Sequence, residues 1–266
     1  MSAPSARAAG PAGGVRIFED GIVRAAQITP IVESVKDPHS VAGEELRLLR
    51  ARVQGFCQKD HVNCIALSSA LPGEGKSTVS VGLATALARE RGRRVLLIEA
   101  DLRRPSISET LGLPPAPGLS EWLAGDLDQV PVRLYERGGF FVLAAGQAEF
   151  DKPESLGSPL MEALLRSARE SFDFVLVDSP PVLPVADTIL MQDLLDGFLL
   201  VARSRQTPRE AILEALGRLR SDKIRGIVLN DHREYRHSYQ TYGYERYGMS
   251  YGPKTSPGSK GHGKKR

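Results

Sequence analysis

The chain of 266 residues is 41% apolar and 25% charged, with 35 Lys and Arg against 32 Asp and Glu and a formal net charge of +3. Those averages fit one soluble globular domain with tails: no apolar run reaches the ~18 residues of a membrane helix, and the N-terminus lacks the apolar core of a signal peptide. Cys57 and Cys64 are the only cysteines, too few for a disulfide scaffold, and no Cys/His cluster has metal-ligand spacing, so two reduced, buried thiols in a cytoplasmic protein are expected.

The first fourteen residues are rich in Ala, Gly and Pro, and residues 1–37 read as a disordered or loosely ordered segment. Residues 38–231 alternate helical patterns with short apolar runs of the kind that form strands covered on both faces. A helix is predicted over 40–57. The first strand, VNCIALSS at 62–69, leads through ALPGEGKST at 70–78 into a helix over 76–91. That segment has the P-loop pattern, with Ala70 where its first Gly is expected. Gly73 and Gly75 let backbone N–H groups converge on phosphate oxygens beside Pro72, Glu74 and Thr78, and the following helix presents its positive end to the same anion. Lys76 would bridge the β- and γ-phosphates of ATP, and the Ser77 hydroxyl would ligate Mg²⁺. A plain Pro-Gly-Glu-Gly turn is the alternative.

The second strand, within RVLLIEA at 94–100, ends in acids. Glu99 and Asp101 are two apart, a spacing that puts both carboxylates on one strand face, where they could hold Mg²⁺ through water and accept a proton. Alternatively Arg103 and Arg104 simply neutralise a solvated strand end. Strands at 140–145 and 172–178 enclose a helix at 160–171, and the second of them ends in Asp178, placed to orient Mg²⁺. Helices at 185–195 and 208–221 alternate with strands at 197–202 and 225–230. Thr207-Pro208 supplies an N-cap and N1 proline for the last helix. Asn230, ending the last strand at the expected ligand edge, is a candidate adenine reader or an ordinary cap. Repeated strand-then-helix order predicts an α/β domain of P-loop NTPase type, a mainly parallel sheet with helices on both faces and ligands at the strands' C-terminal ends.

Beyond Leu229 there is no Val, Ile, Leu, Phe or Ala, so residues 232–266 are expected to form a flexible tail. It holds six of the seven tyrosines, Tyr235, Tyr239, Tyr242, Tyr244, Tyr247 and Tyr251, and eight Lys and Arg against Glu234 and Glu245, a net charge of +6. All eight phenylalanines lie earlier.

Together these elements resemble the bacterial tyrosine kinases of capsule and exopolysaccharide export, from about residue 40 to the end. The Walker A loop at 70–78, the acidic strand end at 96–105, the Asp178–Pro181 Walker B and the tyrosine cluster stand in that family's order. The resemblance implies ATP and Mg²⁺ as cofactors, Lys76, Glu99, Asp101 and Asp178 as catalytic residues, Ser77, Glu99 and Asp178 around the metal, and the six tail tyrosines as phosphate acceptors. It also implies a homo-oligomeric ring joined through the Glu-x-x-Arg-x-x-Arg positions Glu44, Arg47 and Arg50, although one exposed i,i+3 ion pair would account for the same string. Its partners would be a separate transmembrane polysaccharide co-polymerase, which recruits the cytoplasmic chain to the inner face of the cell membrane, and a protein-tyrosine phosphatase as counter-enzyme. Glu99 departs from the family's aspartate, moving the carboxylate about 1.5 Å outward. That departure keeps open an ATP-binding oligomeric regulator with little kinase activity. A partitioning ATPase of the ParA/MinD kind would carry a signature lysine where Leu71 stands. The basic, aromatic tail has the composition of a single-strand binder, but nothing in the nucleotide site calls for nucleic acid, and none is expected as a partner.

Overall fold

The computed structural model describes residues 15–24, 29–147 and 153–231. Its scaffold is one eight-stranded sheet, ordered β1 (Ile17–Val23), β4 (Val130–Tyr135), β5 (Phe140–Leu143), β3 (Val95–Glu99), β6 (Phe174–Asp178), β2 (Cys64–Ser69), β7 (Gly197–Arg203) and β8 (Ile224–Asn230). Only β4 and β5 pair antiparallel, so the six strands from β5 to β8 all deliver their C-terminal ends to one edge. These six are the apolar runs expected from the sequence.

Alternate residues of the central strands feed two cores. Ala66, Leu96, Ile98, Val175, Val177, Phe198 and Leu200 meet α5 (Leu119–Ala124), α6 (Pro159–Ser171), α7 (Asp187–Met191) and α8 (Arg209–Arg218). Ile65, Leu67, Val95, Leu97, Leu176 and Val201 meet α1 (Pro30–Lys36), α2 (Val41–Asp60), α3 (Lys76–Ala88) and α4 (Ile107–Leu111). Strands apolar on both faces require such double cover. Helix α3 is buried almost all round, as expected of a helix with apolar residues on every side.

The segment assigned to a loose N-terminus contains β1 and α1, which corrects that reading. Glu19, Asp20 and Gly21 hide the alternation of β1, whose register on β4 slips between Glu19 and Ile22. Helix α1 is only seven residues long, yet Val32 and Val35 are fully buried. Strand β4 escapes the apolar pattern because Pro131 and Arg133 interrupt it. The buried Arg133 guanidinium donates to the carbonyls of Pro114, Ala116 and Pro117 and pairs with Asp20 at 2.8 Å, so its burial leaves no charge unanswered. The helix expected over 185–195 is shorter, α7 followed by a 3₁₀ turn at Gln192–Leu194.

Helices α1 and α2 touch at Gly43, where a Cβ would lie 2.0 Å from the Ser34 carbonyl oxygen; Gly55, in the same helix, has no neighbour within 4 Å of that position. Gly43→Ala is therefore expected to destabilise the fold by about 1–3 kcal/mol, and Gly55→Ala to stabilise it by roughly 0.5–1 kcal/mol, both read from urea midpoints. Burial pushes the thiols of Cys57 and Cys64 up to about 12. Intact-mass analysis should find neither alkylated by iodoacetamide at about pH 8 in the folded chain and both alkylated in denaturant.

Candidate active site

The loop between β2 and α3 is shaped by two glycines and braced from outside. Gly73 and Gly75 have φ of 81° and 89°, the left-handed region that side chains disfavour. At Gly75, which opens α3, a Cβ would also lie 2.0 Å from Nδ2 of Asn230. Glu74 turns inward: one carboxylate oxygen accepts the Leu71 N–H at 2.9 Å and the other the Thr207 hydroxyl. From the end of β8, Asn230 Nδ2 donates to the Glu74 carbonyl at 3.0 Å, and from β7, Arg203 donates to the Gly73 carbonyl at 3.4 Å. The unmatched N–H groups of the first turn of α3 make this loop a ready anion site.

Pro72, Gly73, Lys76, Ser77 and Thr78 form one wall of a cleft of about 520 Å³; Asp101, Arg103, Arg104, Pro180, Pro181 and Val185 form the other. Such a volume is typical of small-molecule sites. On its floor the Lys76 ammonium lies 2.9 Å from Asp101, 3.5 Å from Asp178 and 3.3 Å from the Ser77 hydroxyl. Asp178 accepts hydrogen bonds from Ser77 at 2.7 Å and Ser80 at 2.9 Å. Register explains the convergence: Asp178 pairs with Glu99 of β3, so β3 and β6 end together, while β2, paired at Leu67, runs on to Ser69 and into the loop. Burial alone would lower Lys76, but the two carboxylates more than offset it and hold the ammonium above its ordinary value. Burial raises Asp178 above the usual carboxylate range despite Lys76, Ser77 and Ser80.

Hard oxygen donors from Ser77, Asp101 and Asp178 surround the point where the ammonium stands, a donor set that fits Mg²⁺. Among the described residues no three His, Cys, Asp or Glu converge to hold an ion unaided. Mg²⁺ does not need them, since it commonly keeps its waters and binds one or two carboxylates plus substrate phosphates.

Three sequence expectations are redirected here. Strand β3 ends at Glu99, so strand alternation no longer governs Asp101, and the two carboxylates go to different partners. Glu99 is fully buried and accepts from Ser106, Ile107, Ser108 and Ala145, with no hydrogen bond or ion pair to Lys76, Ser77 or Asp178. Asn230 spends its amide on the loop's backbone. Glu44, Arg47 and Arg50 find partners inside the chain: Arg47 pairs with Glu44 at 2.7 Å and donates to the carbonyls of Val35 in the last turn of α1 and of Asp37 and Pro38 just beyond it, while Arg50 donates to Ala86 near the end of α3. The tail tyrosines, Tyr235 to Tyr251, lie outside the described residues.

Sequence reasoning missed the bracing role of Arg203 and Thr207. Thr207 carried a signal, read as an N-cap, but α8 starts at Arg209 with Pro208 as its cap. It also missed that Arg103 pairs at 2.9 Å with Asp187, which is fully buried.

Residues 65–249 match the CobQ/CobB/MinD/ParA nucleotide binding domain. Tyrosine-protein kinase YwqD of Bacillus subtilis is 33% identical over 218 residues, covering 80% of this chain and 90% of YwqD. The succinoglycan biosynthesis transport protein ExoP of Rhizobium meliloti is 33% identical over 202 residues, 74% of this chain. The chain spans 26% to 30% of the length of ExoP and the other long relatives. The kinase domain of Escherichia coli tyrosine kinase ETK superposes with a TM-score of 0.72 at 32% identity, covering 78% of this chain and 82% of that one.

Lys76→Met would leave two buried carboxylates facing one another. Asp178 already has a raised folded value, so the folded chain holds a proton there more readily than the unfolded chain, and stability falls as pH rises through that value. Without Lys76 the effect grows. Urea unfolding should show Lys76→Met less stable by on the order of 3–5 kcal/mol at pH near 7, with the deficit shrinking toward about pH 4.

Proposed function

The chain belongs to the bacterial tyrosine kinases, within the CobQ/CobB/MinD/ParA nucleotide-binding domains, and on that premise we propose that it is an ATP- and Mg²⁺-dependent protein-tyrosine autokinase of exopolysaccharide export. The observation that carries this reading is the convergence of Lys76, Ser77, Asp101 and Asp178 beneath the phosphate loop.

The first-turn N–H groups of α3 bind the β- and γ-phosphates of ATP. Lys76 leaves the two acids for the phosphate oxygens, where its charge stabilises the transferring phosphoryl group. Ser77, with Asp178 and Asp101 close by, would hold Mg²⁺, which when bound would supply positive charge to those phosphates. Asp101 accepts the proton of the attacking tyrosine hydroxyl, near 3 Å from it in the reactive pose. Pro180, Pro181, Pro184 and Val185 wall the cleft opposite the loop and exclude water from the transfer.

Tyr235, Tyr239, Tyr242, Tyr244, Tyr247 and Tyr251 are the proposed acceptors. Each phosphate adds about −1.5 to −2 charges, so four cancel the tail's +6. A tail reaching a neighbour's cleft needs an oligomer, and the proposed ring would use Glu44, Arg47 and Arg50 in exchange for their contacts within the chain. No helix among the described residues is long and apolar enough to cross a membrane; recruitment by a separate transmembrane co-polymerase and reversal by a phosphatase complete the proposal. ExoP's role in succinoglycan transport supports the polysaccharide setting.

Mass spectrometry of the purified chain incubated with Mg²⁺ and ATP tests this reading. Phosphotyrosine is expected on the tail, falling by about 10²–10³-fold in Lys76→Met; a wild-type chain that binds ATP and forms none would refute it.

A further inference from the structure

We infer that Glu99 is a positioning residue that holds Asp101 against Lys76, and that it takes no proton from the acceptor; the catalytic part of this inference rests on the tyrosine-kinase reading above. Its carboxylate is saturated. One oxygen accepts the N–H groups of Ser106 and Ile107 at 2.6 and 2.5 Å. The other accepts the Ser108 hydroxyl at 2.6 Å, the Ala145 N–H at 3.2 Å and the Ser108 N–H at 3.4 Å. A carboxylate has about four lone-pair directions, and five donors leave none for a tyrosine hydroxyl or a metal. Asp101, by contrast, keeps one oxygen on the Lys76 ammonium, inside the cleft.

The same contacts close a loop. The backbone of Glu99 is pinned in the sheet opposite Asp178, and the N–H of Ala100 donates to the Asp178 carbonyl at 2.9 Å. The Glu99 side chain then grips residues 106–108, so the segment between is anchored at both ends. Asp101 lies within it, its second oxygen accepting the Arg104 N–H at 3.1 Å. Ala145, just beyond β5, fastens the clamp to a second strand. Reach is therefore what position 99 requires. Aspartate would draw the carboxylate back by about 1.5 Å, opening the shortest of these bonds to about 4 Å, beyond hydrogen-bond range. Glutamine keeps the reach: its oxygen can serve Ser106 and Ile107 and its NH₂ can donate to a turned Ser108 hydroxyl, at the loss of only the two longest bonds, those from the Ala145 and Ser108 N–H groups.

A clamp and a base thus predict opposite rankings for Glu99→Gln and Glu99→Asp. The measurements are phosphotyrosine formation at saturating ATP, the ATP concentration giving half the maximal rate, MgATP binding and thermal melting, each on the full chain. A clamp gives Glu99→Gln a rate within about tenfold of wild type and Glu99→Asp a loss of about a hundredfold, as a 1 Å displacement of Asp101 implies. Melting temperature and MgATP affinity should fall in the same order, and a Glu99→Asp chain that fails to fold while Glu99→Gln folds is that order at its extreme. The inference is overturned if Glu99→Asp outperforms Glu99→Gln, or if both lose rate equally with melting unchanged. Absence of phosphotyrosine from the wild-type chain would sink the kinase reading alone, because melting and MgATP affinity would still rank the two variants.

Discussion

Two carboxylates from neighbouring strand ends share one ammonium at the bottom of the cleft, and the rest of the structure is arranged to keep them there. Asp101 and Asp178 are both buried, and an unpaired buried carboxylate is costly. Lys76 makes their proximity tolerable. It can do so only because β2, β3 and β6 lie side by side, with the phosphate loop turning back over their ends. The cluster keeps a net negative charge, which suits it to exchange its ammonium for a divalent ion arriving with phosphate. A cation stands between the acids before ligand arrives, and in the proposed reaction a different one would take its place.

Around that floor, the residues with motif-like positions divide into those that meet a ligand and those that hold the others still. Asn230, Arg203 and Thr207 hold the loop from outside, Thr207 through the loop's own Glu74. Glu99 does the same for the segment that carries Asp101. Fixing donors before the reaction is the economical way to stabilise a charged transition state, because nothing needs to reorganise as charge develops. Much of the polar side-chain bonding near the cleft serves that purpose.

The parallel sheet and the P-loop were legible because each has a local signature: apolar runs of five to seven residues in the first case, Gly-x-Gly-Lys-Ser in the second. Asp178 was legible as the polar end of an apolar run. The edge strand β1 and the arginine-bearing β4 were not, since their partners lie more than a hundred residues apart and satisfy charges that a pattern reads as surface. Side-chain destinations past the end of a strand were equally hidden. Glu99 and Asp101 look equivalent in sequence, yet the first is captured by the N–H groups of residues 106–108 and the second by a lysine. Arg47 and Arg50 likewise met backbone carbonyls, acceptors that every residue has and no motif records.

Strand β8 borders the sheet on one side, and its last residue is the one that touches the phosphate loop. Asn230 is joined to Glu74 by one hydrogen bond, and Asp231, directly after it, pairs with the Arg203 that reaches Gly73. A pull along β8 is therefore transmitted to the loop through two short struts, while the same pull on β1 would have to cross the whole sheet. Because Asn230 and Asp231 close β8, the position of that strand's C-terminal end and the shape of the phosphate loop are set together.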